Sequence, residues 1–200
     1  MEVRPLLGLP MLSFLHIPKT GGSARRSALL AEIDAGRVLY QHHERNARVA
    51  PGELVLYLRD PLTRFVSGFD AFRDVIVGTM TGQGVEIDDI DDFVTHYHHC
   101  MRDCGETSRL IFRPQAWWDD EDRDDIIRLK LESMDTSFPQ LLTKHDLIGK
   151  LPSRAEPRSN SYSSTKLPKS VLNETSVQFV REYYSADFPL WEAAEGEYSA

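Results

Sequence analysis

Cysteine is scarce in this chain. Cys100 and Cys104 are the only two in 200 residues, which excludes a fold stapled by several disulfides and fits a protein of a reducing cytoplasm. Long apolar runs are missing too, so no segment reads as an integral membrane helix. The N-terminal stretch carries Glu2 and Arg4 and is interrupted by Pro5, Gly8 and Pro10, a poor match to a signal peptide. Basic residues are outnumbered, 23 Lys and Arg against 31 Asp and Glu, for a formal charge of -8. That balance argues against nucleic acid as a partner and requires any anion site to be local, built from a few placed cations. Internal repeats and an evident linker are also lacking, so residues 1–200 read as a single domain. What remains is an ordinary globular composition, 41% hydrophobic and 27% charged, with enough chain to bury a full core.

Against this background one stretch stands out. In "FLHIPKTGGSA", Phe14 to Ala24, an apolar run over Met11–Ile17 stops at Pro-Lys-Thr-Gly-Gly-Ser. The run reads as a buried parallel strand and the residues from about Ser23 to Ala35 as a helix. A strand, a Gly-rich turn and a helix aim backbone N–H groups at an anion, and Lys19 adds a mobile charge. Further strands are expected at Arg37–Gln41, Glu53–Arg59 and over "IIRLKLESM". Helices are expected from Pro61 through Phe72 or beyond, over "IDDIDDFVTHYHHCMRD", over "TSFPQLLTKHDLIGKL" and around Glu174–Tyr184, with loops at Gly78–Gly84 and Pro152–Lys169. Alternating strands and helices define an α/β fold: P-loop-like, three-layered, with a central mainly parallel sheet flanked by helices.

The order of residues in the turn restricts the ligand. A nucleotide triphosphatase loop places its lysine after the glycines, whereas Lys19 precedes Gly21 and Gly22. A second stretch, "LRDPLTRFVSGF" from Leu58 to Phe69, puts Arg59 at a strand end and Arg64 and Ser67 on the helix that follows. Arg59 and Ser67 are suited to converge on one phosphate, a forked guanidinium with a hydroxyl from the helix. Two separated anion sites call for a ligand with two phosphate-like groups.

"HIPKTGGS" followed by "RDPLTRFVSGF" resembles the 5′- and 3′-phosphosulfate-binding motifs of the sulfotransferases that use PAPS, 3′-phosphoadenosine 5′-phosphosulfate. The likeness is closest to carbohydrate sulfotransferases, including the uronyl 2-O-sulfotransferases and small bacterial relatives. It covers about the first seventy residues and extends weakly to "YYSADFPLW" near the end. The resemblance implies that Lys19, Thr20, Gly21, Gly22 and Ser23 hold the 5′-phosphosulfate and that Arg59 and Ser67 hold the 3′-phosphate. Arg64 matches a basic residue of the second motif, as a phosphate contact or as a structural ion pair. It also implies a catalytic histidine in "YQHHE", His43 or His42, with His43 the slightly better match. PAPS would be the sulfuryl donor and PAP the product, with a glycan or other hydroxylated molecule as acceptor and no metal.

The chemistry accounts for those residue types. Sulfuryl transfer is in-line displacement from a phosphate leaving group, so positioning and charge stabilisation carry most of the catalysis. Lys19 is placed to donate to the bridging oxygen as charge builds on the departing phosphate, and a neutral histidine to take the acceptor's proton. Two other classes stay open on the residues alone: a P-loop-like small-molecule kinase or nucleotide hydrolase, and a non-catalytic module that binds PAP or PAPS.

Three further features have plainer readings beside sharper ones. His96, Cys100 and Cys104 lie four apart on one helix stripe, but a single stripe supplies ligands from one side while zinc takes a tetrahedron. A half-buried helix face is the expectation there. Trp117 and Trp118 read equally as a sugar-stacking platform or as a core pair. The polar run Arg154–Lys169 reads equally as a lid, with Arg158 and Lys166 as phosphate partners, or as a solvated loop.

Overall fold

Residues Leu12–His16 form strand β1, and every one of its side chains is buried, as an uninterrupted apolar run requires when a strand is covered on both faces. The computed structural model describes residues 12–42, 50–119, 123–151, 170–196 and 198. β2 (Val38–His42), β3 (Leu54–Leu58) and β4 (Ile126–Lys130) join β1 in an all-parallel sheet of order β2-β1-β3-β4. The register pairs His16 with His42 on one side of β1 and Leu15 with Leu56 on the other. Beyond β4 the C-terminal segment adds a parallel bridge, Lys130 donating to Glu195 and Glu195 to Arg128, which covers an edge that would otherwise be open to pairing. The fold is α/β, a central parallel sheet with helices around it, as expected.

Two compact units divide the chain. The first comprises Met1–Arg59, Gln115–Pro157 and Leu190–Ala200. It holds the sheet, α1 (Gly22–Ala28), α2 (Leu30–Asp34) and α7 (Met134–Lys144). Its core takes alternate residues of the strands, Leu12, Phe14, Val55, Tyr57 and Leu129, and packs them with Leu29, between α1 and α2, and with Phe138 and Leu141 of α7. The second comprises Asp60–Pro114 and Arg158–Pro189. It holds α3 (Pro61–Thr81), α4 (Ile90–Thr95), α5 (Tyr97–Asp103), α6 (Glu106–Ile111) and α8 (Glu174–Tyr183). α9 (Asp187–Ala193) crosses the division. The second core is aromatic: Phe65, Phe69, Phe93, Tyr97, Phe112 and Tyr184 are all buried, with Phe65 and Phe93 stacked at 5.7 Å.

α3 shows why its residues form a helix. Asp60 caps it by accepting from Thr63 N–H at 2.8 Å, a contact typically worth about 1 kcal/mol, and Pro61 fills the first position, where no N–H is needed. The apolar positions at three- and four-residue steps, Phe65, Phe69, Phe72 and Ile76, are the buried ones.

Several boundaries differ from the sequence reading. The helix expected over Ser23–Ala35 is two, broken at the buried Leu29, whose N–H is shared between the Arg25 and Arg26 carbonyls. "IDDIDDFVTHYHHCMRD" likewise divides at His96, which leaves helical geometry at φ -102° and ψ 13°. α3 runs on to Thr81, so the loop expected at Gly78 begins at Gly82. The strand over "IIRLKLESM" stops at Lys130, because Leu131–Ser133 turn as a 3-10 segment into α7, and α7 ends at Lys144.

Candidate functional site

The candidate site begins where β1 ends. Lys19 has φ 67°, a left-handed conformation that costs a side-chain-bearing residue about 1–2 kcal/mol. Such strain is held only where the surroundings over-determine it, and it concentrates at functional turns. Gly21 is left-handed as well, at φ 76° and ψ 17°, and Gly22 then enters α1. Left-handed followed by right-handed backbone turns successive N–H groups toward one side, the geometry of an anion nest. Thr20 is fully buried, and its hydroxyl donates to the Ile17 carbonyl at 2.8 Å. As placed, that hydroxyl braces the loop. Ser23 is exposed at the start of α1.

Glycine is required at both positions. A Cβ on Gly21 would sit 2.7 Å from Leu131 Cδ1, besides the strain of its φ. A Cβ on Gly22 would fall 1.9 Å from the His16 ring, which is itself buried. The ring at the end of β1 therefore fills the place of a side chain at the start of α1, and the two segments close on each other.

Arg59 follows β3, directly beside β1 in the sheet. Its backbone is clamped by Gln115, whose Oε1 accepts from Arg59 N–H at 2.8 Å and whose Nε2 donates to the Arg59 carbonyl at 2.8 Å. Its Nη1 donates to the Lys19 carbonyl at 3.3 Å. The chain passes from β1 to β2 on one side and returns to β3 on the other, so the strand order reverses between β1 and β3. Ligands of open parallel sheets bind at the carboxyl ends of the strands flanking such a reversal. Lys19 and Arg59 occupy those two ends and touch.

Arg25, on α1, lies under the loop. It is 1% exposed, donates from Nη1 to the Thr20 carbonyl at 2.6 Å, and sets its guanidinium 4.2 Å from the Tyr57 ring centre. Burial pushes its pKa down, while the nearby Tyr40 and Tyr57 hydroxyls push the other way. The same burial raises the pKa of both tyrosines, so both stay neutral.

Ser67 is half-buried on α3, in the second unit. Arg64 is 2% exposed, and its Nη2 donates to the Ile111 and Arg113 carbonyls, each at 2.9 Å. These bonds to backbone carbonyls, with the burial of the guanidinium, fit the structural one of its two readings. His42 closes β2 opposite His16, and His43 lies outside the described residues, as do Arg158 and Lys166 of the lid segment. Trp118 is 1% exposed, packed edge-on against the half-buried Trp117 at 4.8 Å, so of the two readings of the pair Trp118 takes the core one. Cys100 and Cys104 are free, buried thiols of the second core, and burial raises the Cys100 pKa to about 11. Among the described residues no group of three His, Cys, Asp or Glu is arranged to hold a metal ion, and no helix is long and apolar enough to cross a membrane.

Three residues of the site escape a reading of the motifs alone. Arg25 left a signal, because it stands four residues before Leu29 and so shares that residue's core face. Gln115 and His16 left none, since each acts on a partner distant in sequence or across a turn. Compared with protein-family models, curated proteins and solved structures, the chain finds no match in any of the three.

Proposed function

We propose that the protein is a PAPS-dependent sulfotransferase that moves a sulfuryl group from PAPS to a hydroxyl of a carbohydrate acceptor. The observation that carries the reading is the contact of Lys19 with Arg59 across the strand reversal, with the left-handed Lys19–Gly21 loop on one side. A loop of that geometry suits the 5′-phosphosulfate, and a forked cation at the neighbouring strand end suits a second phosphate. In the transfer the bond from sulfur to the bridging oxygen breaks as that from sulfur to the acceptor oxygen forms. Lys19 stabilises the charge left on the phosphate of PAP. A histidine of the His42–His43 pair takes the acceptor's proton. A cytoplasmic setting belongs to the same reading, and the two free thiols agree with it.

The test is nucleotide choice followed by turnover. Isothermal titration should rank PAP above AMP and above ATP with magnesium. Arg59→Ala should erase the preference for PAP over AMP and weaken PAP by about 1.5–3 kcal/mol, the worth of a charge-assisted hydrogen bond. With labelled PAPS and an acceptor glycan panel, Lys19→Ala should lower kcat far more than it weakens PAP, because the charge it meets develops in the transition state. A preference for ATP with magnesium overturns the sulfotransferase reading in favour of a kinase or hydrolase. Tight PAP without transfer to any acceptor reduces it to a binding module.

A further inference from the structure

Arg25 has no part in the roles assigned above, and its surroundings are unusual for a charge. Among the described residues no carboxylate lies within ion-pair distance of it. Its contacts are one carbonyl, the Met134 sulfur at 3.6 Å, the Tyr40 hydroxyl and the face of Tyr57, all of them neutral groups, and its buried Nε–H finds no acceptor. Burying a cation in this way is costly unless something else meets its charge. Its bond to the Thr20 carbonyl is short, at 2.6 Å. A peptide group is planar and trans, so holding the Thr20 carbonyl toward the interior directs the Gly21 N–H the opposite way, out of the loop. Gly21 also lies directly above the guanidinium, its Cβ position 3.4 Å from Nη1.

The geometry points to Arg25 as the positioning residue of this loop. Its buried guanidinium fixes the Thr20–Gly21 peptide and supplies a positive charge that is neutralised by a phosphate or sulfate group bound on the loop's outer side. Lys19 contributes a mobile charge to the loop, and Arg25 contributes a fixed one beneath it. The empty protein bears the cost of the buried charge and recovers it on binding, so stability and anion affinity are set against each other at this residue. The inference rests on reading the loop as a phosphosulfate site, but it concerns the anion alone and is testable with inorganic pyrophosphate.

Thermal unfolding of the full chain, with and without pyrophosphate, and titration with PAP form the experiment. Wild type should gain stability with pyrophosphate. Arg25→Met keeps the length and apolar contact with Tyr57, so without anion it should unfold at the same temperature as wild type or higher. It should show no pyrophosphate response, and its PAP affinity should fall roughly ten- to a hundredfold. Arg25→Gln, which keeps a donor for Thr20 but not the charge, should lose most of the response, and Arg25→Lys should restore part of it. Arg25→Met binding pyrophosphate and PAP as wild type does would overturn the inference, and so would Arg25→Gln with full affinity if the Met variant fails to fold. A marked loss of stability in Arg25→Met without anion would make Arg25 a structural bolt instead. Wild type that answers pyrophosphate but binds PAP no tighter overturns the nucleotide reading and leaves Arg25 standing, whereas wild type that answers neither overturns the Arg25 inference itself.

Discussion

Arg25 in the first unit and Arg64 in the second are buried almost equally, 1% and 2% exposed, but the groups around them differ. Arg64 donates to two carbonyls at the end of α6, while Tyr97 and Tyr184 both donate to the Phe112 carbonyl between them. The buried Asp187 adds an opposite charge that favours its protonated form, against the burial that lowers its pKa. A short helix end inside an aromatic core is thereby supplied with donors, which is how buried polar groups are ordinarily kept. Arg25 is given one carbonyl, a hydroxyl, a sulfur and a ring face, and among the described residues no acid within ion-pair distance. The difference separates a charge that completes a framework from a charge held ready for something outside it.

The largest effect should come from the framework. Arg64→Met strips donors from the Ile111 and Arg113 carbonyls in a buried setting, so it should cost about 2–5 kcal/mol in urea unfolding, at roughly 1–3 kcal/mol for each orphaned carbonyl. A loss as small as that of Arg25→Met would erase the contrast between the two arginines.

Next in size is a comparison of two glycines. Gly22→Ala drives a Cβ into the His16 ring and should cost about 1–3 kcal/mol by overpacking. Adding His16→Ala should recover part of that loss, a coupling that thermal unfolding of the single and double variants will measure. Gly68→Ala in α3 meets Phe112 only at 3.0 Å, and the roughly 1 kcal/mol gain in helix propensity offsets the crowding. Its stability should stay within about 1 kcal/mol of wild type. Equal losses at Gly22 and Gly68 would show that the β1 loop is no tighter than an ordinary helix contact.

The smallest effect is a pH dependence confined to the first unit. His145 lies 3.1 Å from the Glu53 carboxylate, which favours its charged form, but burial outweighs this and lowers its pKa, with the neighbouring Lys144 acting in the same direction. A lowered folded-state value means that the unfolded chain holds the extra proton as pH falls below the ordinary 6.5. Stability should therefore decline on acidification from that point, by at most about 1.4 kcal/mol per pH unit for one group. His145→Gln should flatten that part of the profile, and an unchanged profile would rule the residue out as its source.

Legibility in the sequence followed the range of the interactions. β1 and β3 were readable because a strand covered on both faces leaves a continuous apolar run, as in "FLHI" and "LVLYL", whereas the half-exposed β4 was readable from its alternation. α3 was readable from its cap, its proline and its periodic phenylalanines. Short helices such as α6 were not, because six residues hold too little periodicity and take their form from tertiary packing. The breaks at Leu29 and His96 are local departures that the pattern of apolar residues does not encode. At the site, the loop and Arg59 were visible as motifs. The Gln115 clamp and the His16 ring were not, since each depends on residues that meet only in the folded chain.

The bridge from Glu195 to β4 has a consequence for the order of synthesis. The first unit is assembled from three separate stretches of chain, while the second is supplied by the intervening segments. Domains generally fold as units while the chain emerges from the ribosome, N-terminal parts first. The Lys19 loop is made well before Glu195, yet the sheet beneath it gains its last bridge only when the residues around Glu195 emerge. During translation the nascent chain therefore carries the Lys19 loop on an incomplete scaffold until the residues around Glu195 are free to pair with β4.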